Sequence, residues 1–468
     1  MTDGVNELNF AVRESQEAPT NGWPELILIV DGAELFSDGD EGMGADPWDL
    51  TGEDSPLLNA SDASVQAALA AGRYIPHLCY HPEFTPHGSC KLCTARVNGR
   101  LMAACTTPAG IATEVESETE ELNDLRRTLV QMLFAEGNHV CAVCVSNGHC
   151  ELQYEAAKIG MDHVRFEYLN PDLSMDASHE RYALDHNRCI LCSRCIRACA
   201  EVAANHTLDL RNRGAKTMVI ADLDVPFGES SCVECGTCLQ VCPTGALVDA
   251  RSAYGGREKD VTHTPTTCMQ CSIGCELDVV TRYSRLLRVD GVWGSEPNDG
   301  LLCVDGRFKP LYEERKRVTR PLLRKDGELV EVSWGEALAA VADKLKGGSC
   351  QGLAACATTN EALAGFAHLM NRVGGKGGRL EPQAPPLGYG VPGRVTDVLS
   401  ADFIIVAGAQ PLEYQRVIGY FIHRAADKGI PVAVITDTEN ALSERASMTV
   451  AAAQAGVVAQ AAAAAEKV

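Results

Sequence analysis

Thiolate and imidazole groups hold iron and zinc, and nineteen of the 21 cysteines fall into five blocks at ligand spacing. Cys79, Cys90, Cys93 and Cys105 form the first block, with ten residues before a C-x2-C pair. Four such thiolates suffice for a [2Fe–2S] cluster; they also suit zinc, but the other cysteine blocks nearby favour iron. The second block has three cysteines, Cys141, Cys144 and Cys150, and His139 stands where a fourth [4Fe–4S] ligand is needed. His149 is the rival, set aside because it adjoins Cys150 and adjacent side chains point apart. Cys189, Cys192, Cys195 and Cys199 read C-x2-C-x2-C-x3-C, and Cys232, Cys235, Cys238 and Cys242 repeat the run, ending in Pro243. In two-cluster units with this spacing each fourth cysteine serves the other cluster. One [4Fe–4S] set is therefore expected from Cys189, Cys192, Cys195 and Cys242, the other from Cys232, Cys235, Cys238 and Cys199. Cys268, Cys271, Cys275 and the distant Cys303 make a fifth [4Fe–4S] block. Cys350 and Cys356 remain and are read as core thiols.

Five redox centres in one chain describe a conduit for electrons rather than a site for one chemical step. Bulk composition agrees. A net charge of −22 argues against nucleic acid and anionic membrane surfaces. No apolar run reaches the 18 residues of a membrane span, and Met1–Thr20 has no signal-peptide pattern. The expected location is cytoplasmic, without membrane insertion, and there metal ligation outranks disulfide pairing for so many cysteines. The acidic stretch Ser37–Ser55 reads as a solvated loop. A G-x-G-x-x-G following a strand is absent, so no flavin or nicotinamide site and no catalytic residue is assigned.

The blocks need elements to hold them. Leu26–Val30 reads as a strand, Val65–Ala71 as a short helix, and Ala95–Ala103 as a hairpin on an Asn98-Gly99 turn. Ser117–Ala135 reads as a helix capped by Ser117 and Glu120, with an apolar face of Leu122, Leu125, Leu129, Met132 and Leu133. A strand-like insert spans Thr217–Val225. Glu276–Val280 and Leu286–Val289 alternate as a hairpin. Ser333 and Glu336 cap a helix to about Lys346, and the strands Phe403–Ala407 and Pro431–Thr436 flank a helix at Arg416–Ala426, a parallel α/β unit.

On these residues, Cys79 to Cys275 resembles the iron–sulfur (G-type) subunit of respiratory complex I and its soluble relatives. Glu136–Gln153 resembles in particular the diaphorase iron–sulfur subunit of NAD(P)-reducing [NiFe] hydrogenases. Cys268–Cys303, Gly306-Arg307-Phe308, Arg320-Pro321-Leu322, Ser333–Leu338 and Thr359-Asn360-Glu361 resemble the start of a molybdopterin oxidoreductase. The resemblance departs from that family in two places. Asp305 stands where members using molybdenum or tungsten carry a Lys, and Gly374–Gly390 lacks their metal-ligating Cys, selenocysteine or Ser. Gly408–Glu413 resembles a pterin-diphosphate loop.

The expected architecture is an α+β, ferredoxin-like [2Fe–2S] domain (1–112), a His/Cys cluster [4Fe–4S] domain (113–178) and a bacterial two-[4Fe–4S] ferredoxin domain (179–255). A [4Fe–4S] domain (256–318) and a truncated, degenerate α/β pterin-enzyme-like domain (319–468) follow, with no molybdenum or tungsten pterin. The resemblance implies a non-catalytic electron-transfer subunit of an NAD(P)-linked complex. Its implied partners are an FMN-bearing NAD(P)H-oxidising flavoprotein, a small thioredoxin-like [2Fe–2S] subunit and a [NiFe]-hydrogenase catalytic subunit. Three alternatives stand: an arm of a formate dehydrogenase or electron-bifurcating complex using ferredoxin, a complex I peripheral-arm subunit, and a stand-alone redox sensor.

Overall fold

The structure is a computed structural model that describes residues 63–110, 113–312, 318–346, 349–354, 358–379 and 393–451, and the strands at 7–12, 26–30 and 33–34. The acidic stretch, Cys356, most of Gly374–Gly390 and nearly all of the Ala-rich stretch Ala451–Val468 lie outside the described residues. The chain divides into two units, one of residues 1–262 with 282–287, the other of 263–281 with 288–468.

The first unit begins with an antiparallel sheet in which the Thr94–Val97 and Arg100–Ala103 hairpin pairs with Glu114–Glu116. Asn98 and Gly99 both take positive φ, 47° and 76°, which lets a two-residue turn follow the strand twist. The short helix Ser64–Ala70 packs on this sheet, and its Val65, Ala67 and Ala68 share a core with Cys93 and Cys105. A second core joins Cys79 and Leu92 to Val130, Leu152, Ala156, Ile190 and Cys192. Cysteines of different blocks thus belong to one packed interior.

The long helix runs Glu120–Glu136, not from Ser117. Thr119 caps it, accepting from the Leu122 N–H, while the Ser117 hydroxyl accepts from Arg126. The buried stripe is also rotated from the expected one. Leu122, Arg126, Val130 and Ala135 face inward, whereas Leu125 and Met132 are exposed. A fully buried arginine displaced the apolar pattern. Arg126 donates to the carbonyls of Leu92, Thr94 and Ser117, and so grips the chain on both sides of Cys93. Leu208–Arg211 and Met218–Ala221 form a hairpin, so the expected Thr217–Val225 insert is the second strand of a pair and shorter than expected.

In the second unit the expected parallel order holds. Ile404–Ala407 and Val432–Thr436 pair in parallel around the Arg416–Asp427 helix, and Met448–Ala451 adds a third parallel strand. Ser333 accepts from the Glu336 N–H and caps Trp334–Leu345, as expected. Cys350 is half-buried rather than a core thiol. The expected hairpin after the fifth block is Glu276–Arg282 with Arg285–Gly291, turning at Tyr283 and Ser284, both at positive φ.

Candidate iron–sulfur centres

Buried thiols with no apolar reason to converge are the signal of a metal site. Cys79, Cys93 and Cys105 are fully buried on three separate segments, with Cys90 half-buried beside them. Mutual hydrogen bonding holds the Cys79 and Cys93 thiols below their ordinary range and pushes Cys90 and Cys105 above it. Four thiols sharing protons in this way form a donor set that could hold a two-iron cluster.

His139, Cys141, Cys144 and Cys150 line one small pocket, with Phe134, Arg188 and Thr244 among its other walls. His149 does not line it. The Nε2 atom of His139 is buried and has no hydrogen-bond partner. Burial, helped by nearby Arg188, lowers the imidazole to about 4, so it is neutral and able to donate its lone pair. An orphaned, neutral imidazole that lines one pocket with three thiols fits a four-donor cluster site.

The two runs of the dicluster segment take the same loop shape twice. Leu191 and Ser193 have positive φ at the second and fourth positions after Cys189, and Glu234 and Gly236 do so after Cys232. Left-handed turns there send the backbone N–H groups toward sulfur: Leu191 donates to Cys189 and Glu234 to Cys232, each at 3.4 Å. Cys242 lies near enough to Cys189, Cys192 and Cys195 for their charges to interact, and Cys199 likewise faces Cys232 and Cys235. The structure therefore brings each fourth cysteine to the opposite run. Burial pushes Cys189, Cys192 and Cys232 up to about 12. Arg194 and Arg197 are interior, not surface, bases; Arg194 bonds Glu151 at 2.6 Å.

Cys268, Cys271, Cys275 and Cys303 also interact as near neighbours, with the Cys275 thiol raised chiefly by burial. Cys303 immediately precedes the short helix Val304–Arg307, and the Asp305 charge reaches Cys268 and Cys303. Arg416 pairs with Asp305 at 3.6 Å. Among the described residues no three His, Cys, Asp or Glu side chains close on one point as a single metal ion requires. Sequence reasoning missed Arg126 and Tyr182, whose hydroxyl reaches Cys232 Sγ; neither carries a motif.

Five family descriptions match in order along the chain. They are a 2Fe-2S iron-sulfur cluster binding domain (59–120), the NADH-ubiquinone oxidoreductase-G iron-sulfur binding region (126–165) and a 4Fe-4S dicluster domain (188–246). A molybdopterin oxidoreductase Fe4S4 domain (261–312) and molybdopterin oxidoreductase (317–467) complete the series. The second G-type subunit of the NADH-quinone oxidoreductase of Rhizobium meliloti (strain 1021) is 34% identical over 331 residues, 69% of this chain and 38% of that protein. The chain is a homologue of these G-type subunits. This G-type homologue is also 29% identical over 310 residues to a putative formate dehydrogenase of Staphylococcus aureus (strain Mu50 / ATCC 700699), 58% of the chain and 31% of that protein. It thus spans less than two fifths of the length of these curated relatives. A crystal structure of NAD+-reducing [NiFe]-hydrogenase in the H2-reduced state shares 40% identity, with 43% of this chain and 86% of that one covered, at a TM-score of 0.41. No helix among the described residues of the G-type homologue is long and apolar enough to cross a membrane.

Proposed function

We propose that this chain is the electron-relay subunit of an NAD(P)-linked oxidoreductase complex and holds five iron–sulfur clusters. The observation that carries the reading is the joint wall of four cysteine sets within the first unit, where Cys79 and Cys192 pack in one core, Cys144 abuts the residues after Cys242, and Cys195 neighbours Cys238. The His139, Cys141, Cys144 and Cys150 set, the Cys79, Cys90, Cys93 and Cys105 set, the two crossed sets and the Cys268, Cys271, Cys275 and Cys303 set would be the ligands. Bound iron–sulfur clusters supply one-electron transfer at potentials set by ligand, burial and hydrogen bonding. The chain's own part is to fix the ligand loops, keep water away from sulfur and aim N–H and O–H donors at it. From the interior, Arg126 holds the chain around Cys93, Arg194 bonds Glu151 beside Cys150, and Tyr182 places its hydroxyl at the Cys232 sulfur.

A flavoprotein that oxidises NAD(P)H would feed electrons in, and a [NiFe]-hydrogenase catalytic subunit would receive them. The similarity to a formate dehydrogenase supports the second reading, an arm of such an enzyme. The 317–467 segment matches molybdopterin oxidoreductases. We propose that it binds no molybdenum or tungsten, because Asp305, an acid paired with Arg416, stands at the site of the family's Lys.

Anaerobic iron analysis tests the five-cluster reading: about 18 irons per chain are expected, and a value near 8 or 10 overturns it. Elemental analysis finding molybdenum or tungsten near one per chain overturns the pterin-free reading. Copurification of a flavoprotein, as against isolation of the chain alone, separates a relay from a redox sensor.

A further inference from the structure

Arg197 lies two residues beyond Cys195 and is 8% exposed. Its guanidinium leaves its own loop and reaches back across the interior. Nη2 donates to the carbonyl of Cys79 and, at 3.4 Å, to that of Cys192; Nη1 donates to the carbonyl of Thr85 at 2.9 Å. The cation also stands 5.2 Å from the Phe84 ring centre. Its Nε is buried without a partner. One planar fork thus holds two ligand segments that belong to different centres. Glu201, whose charge reaches the guanidinium, accepts from the Thr85 N–H at 2.7 Å.

We infer that Arg197 is a positioning residue shared by two centres, the Cys79, Cys90, Cys93, Cys105 set and the Cys189, Cys192, Cys195, Cys242 set. This rests on the relay reading above. The guanidinium locks the separation of the two ligand loops, and its charge faces both. A buried cation favours whichever redox state of a neighbour is more negative, and does so strongly in a low-dielectric interior. Arg197 therefore raises the potentials of both centres together and keeps them matched. Lysine, a point charge with no fork, would keep the charge and lose the three-carbonyl bridge.

The test is a redox titration followed by electron paramagnetic resonance, on the full chain purified anaerobically. Arg197→Gln is expected to shift the reduction equilibrium of both centres about tenfold toward the oxidised form, 59 mV for one electron, and to leave the His139 centre unmoved. Arg197→Lys is expected to restore both potentials to within about threefold. Wild-type signals with unmoved potentials in Arg197→Gln, or a shift in one centre only, overturn the inference. Absence of both signals from the wild-type chain overturns the relay reading, and the inference with it. If Arg197→Gln fails to hold iron at either site, Phe84→Leu is read instead. That variant removes the ring beside the guanidinium and is expected to move the same two centres; a shift in every centre, or in none, overturns the inference.

Discussion

The hydroxyl of Tyr182 lies 2.7 Å from the sulfur of Cys232. Tyr182 is fully buried, its ring stacked on His179 at 3.7 Å between centres and edge-on to Phe227 at 5.1 Å. Packing on two sides leaves the hydroxyl one orientation, at the sulfur.

A hydroxyl donated to sulfur stabilises the more negative state of the site. Tyr182→Phe keeps the packing and deletes the donor. The potential of the Cys232, Cys235, Cys238 and Cys199 centre should fall by about 40 mV, for a differential of about 1 kcal/mol between redox states. A redox titration of the variant checks this; an unchanged potential refutes it.

The orphaned Nε2 of His139 predicts a split between two variants. His139→Ala should lose about four irons, the content of one cubane. His139→Cys should keep them and lower that centre's potential, since thiolate replaces neutral imidazole. Iron analysis and a redox titration read the two outcomes. Full iron in His139→Ala would assign the fourth ligand elsewhere.

Gly245 tests the same wall from the other side. A Cβ built there would sit 2.7 Å from Cys144 Sγ. Gly245→Ala must push Cys144 out of place, so it should reduce iron by about four per chain while the first block keeps its [2Fe–2S] signal. Retention of the full iron content would show that the loop can yield.

Glu155 gives the pH dependence. It is 1% exposed, one carboxylate oxygen bonds the Tyr74 hydroxyl, and the other has no partner. Glu151, Lys158 and the His77 backbone N–H also face it. Burial raises the carboxyl from 4.5 to about 7. The unfolded chain titrates near the lower value, so folding takes up a proton between the two. The protonated carboxyl therefore stabilises the fold at low pH, and this stability is lost as pH rises through about 7. The amount is on the order of 3 kcal/mol. Wild-type Tm should fall between pH 5 and 8, and Glu155→Gln should flatten that slope; parallel Tm curves would refute it.

The convergence of the cysteine blocks was legible because metal spacing is local and cysteine has few other reasons to cluster. The crossing of Cys199 and Cys242 was legible for the same reason, since it follows from the repeat. What surrounds the sulfurs was not. Arginine in a sequence reads as surface, yet Arg126 and Arg197 are interior because backbone carbonyls receive their N–H groups. For Arg197 two of those carbonyls lie 112 and 118 positions away, beyond any window of periodicity. The same blindness moved the helix start. Ser117 has the right type for a cap, but its hydroxyl serves Arg126, and Thr119 takes the role. The hairpins and the parallel α/β order, which depend on turn chemistry and strand pattern, were read closely.

Each cysteine run lies with its last member among the first three of its twin. Two side-by-side pockets could lose one and keep the other. With the crossed sets proposed above, these cannot: removing either run takes a corner from its neighbour, and a cut anywhere from 200 to 231 leaves two incomplete halves. The duplicated unit is indivisible, and damage at one corner is inherited by both.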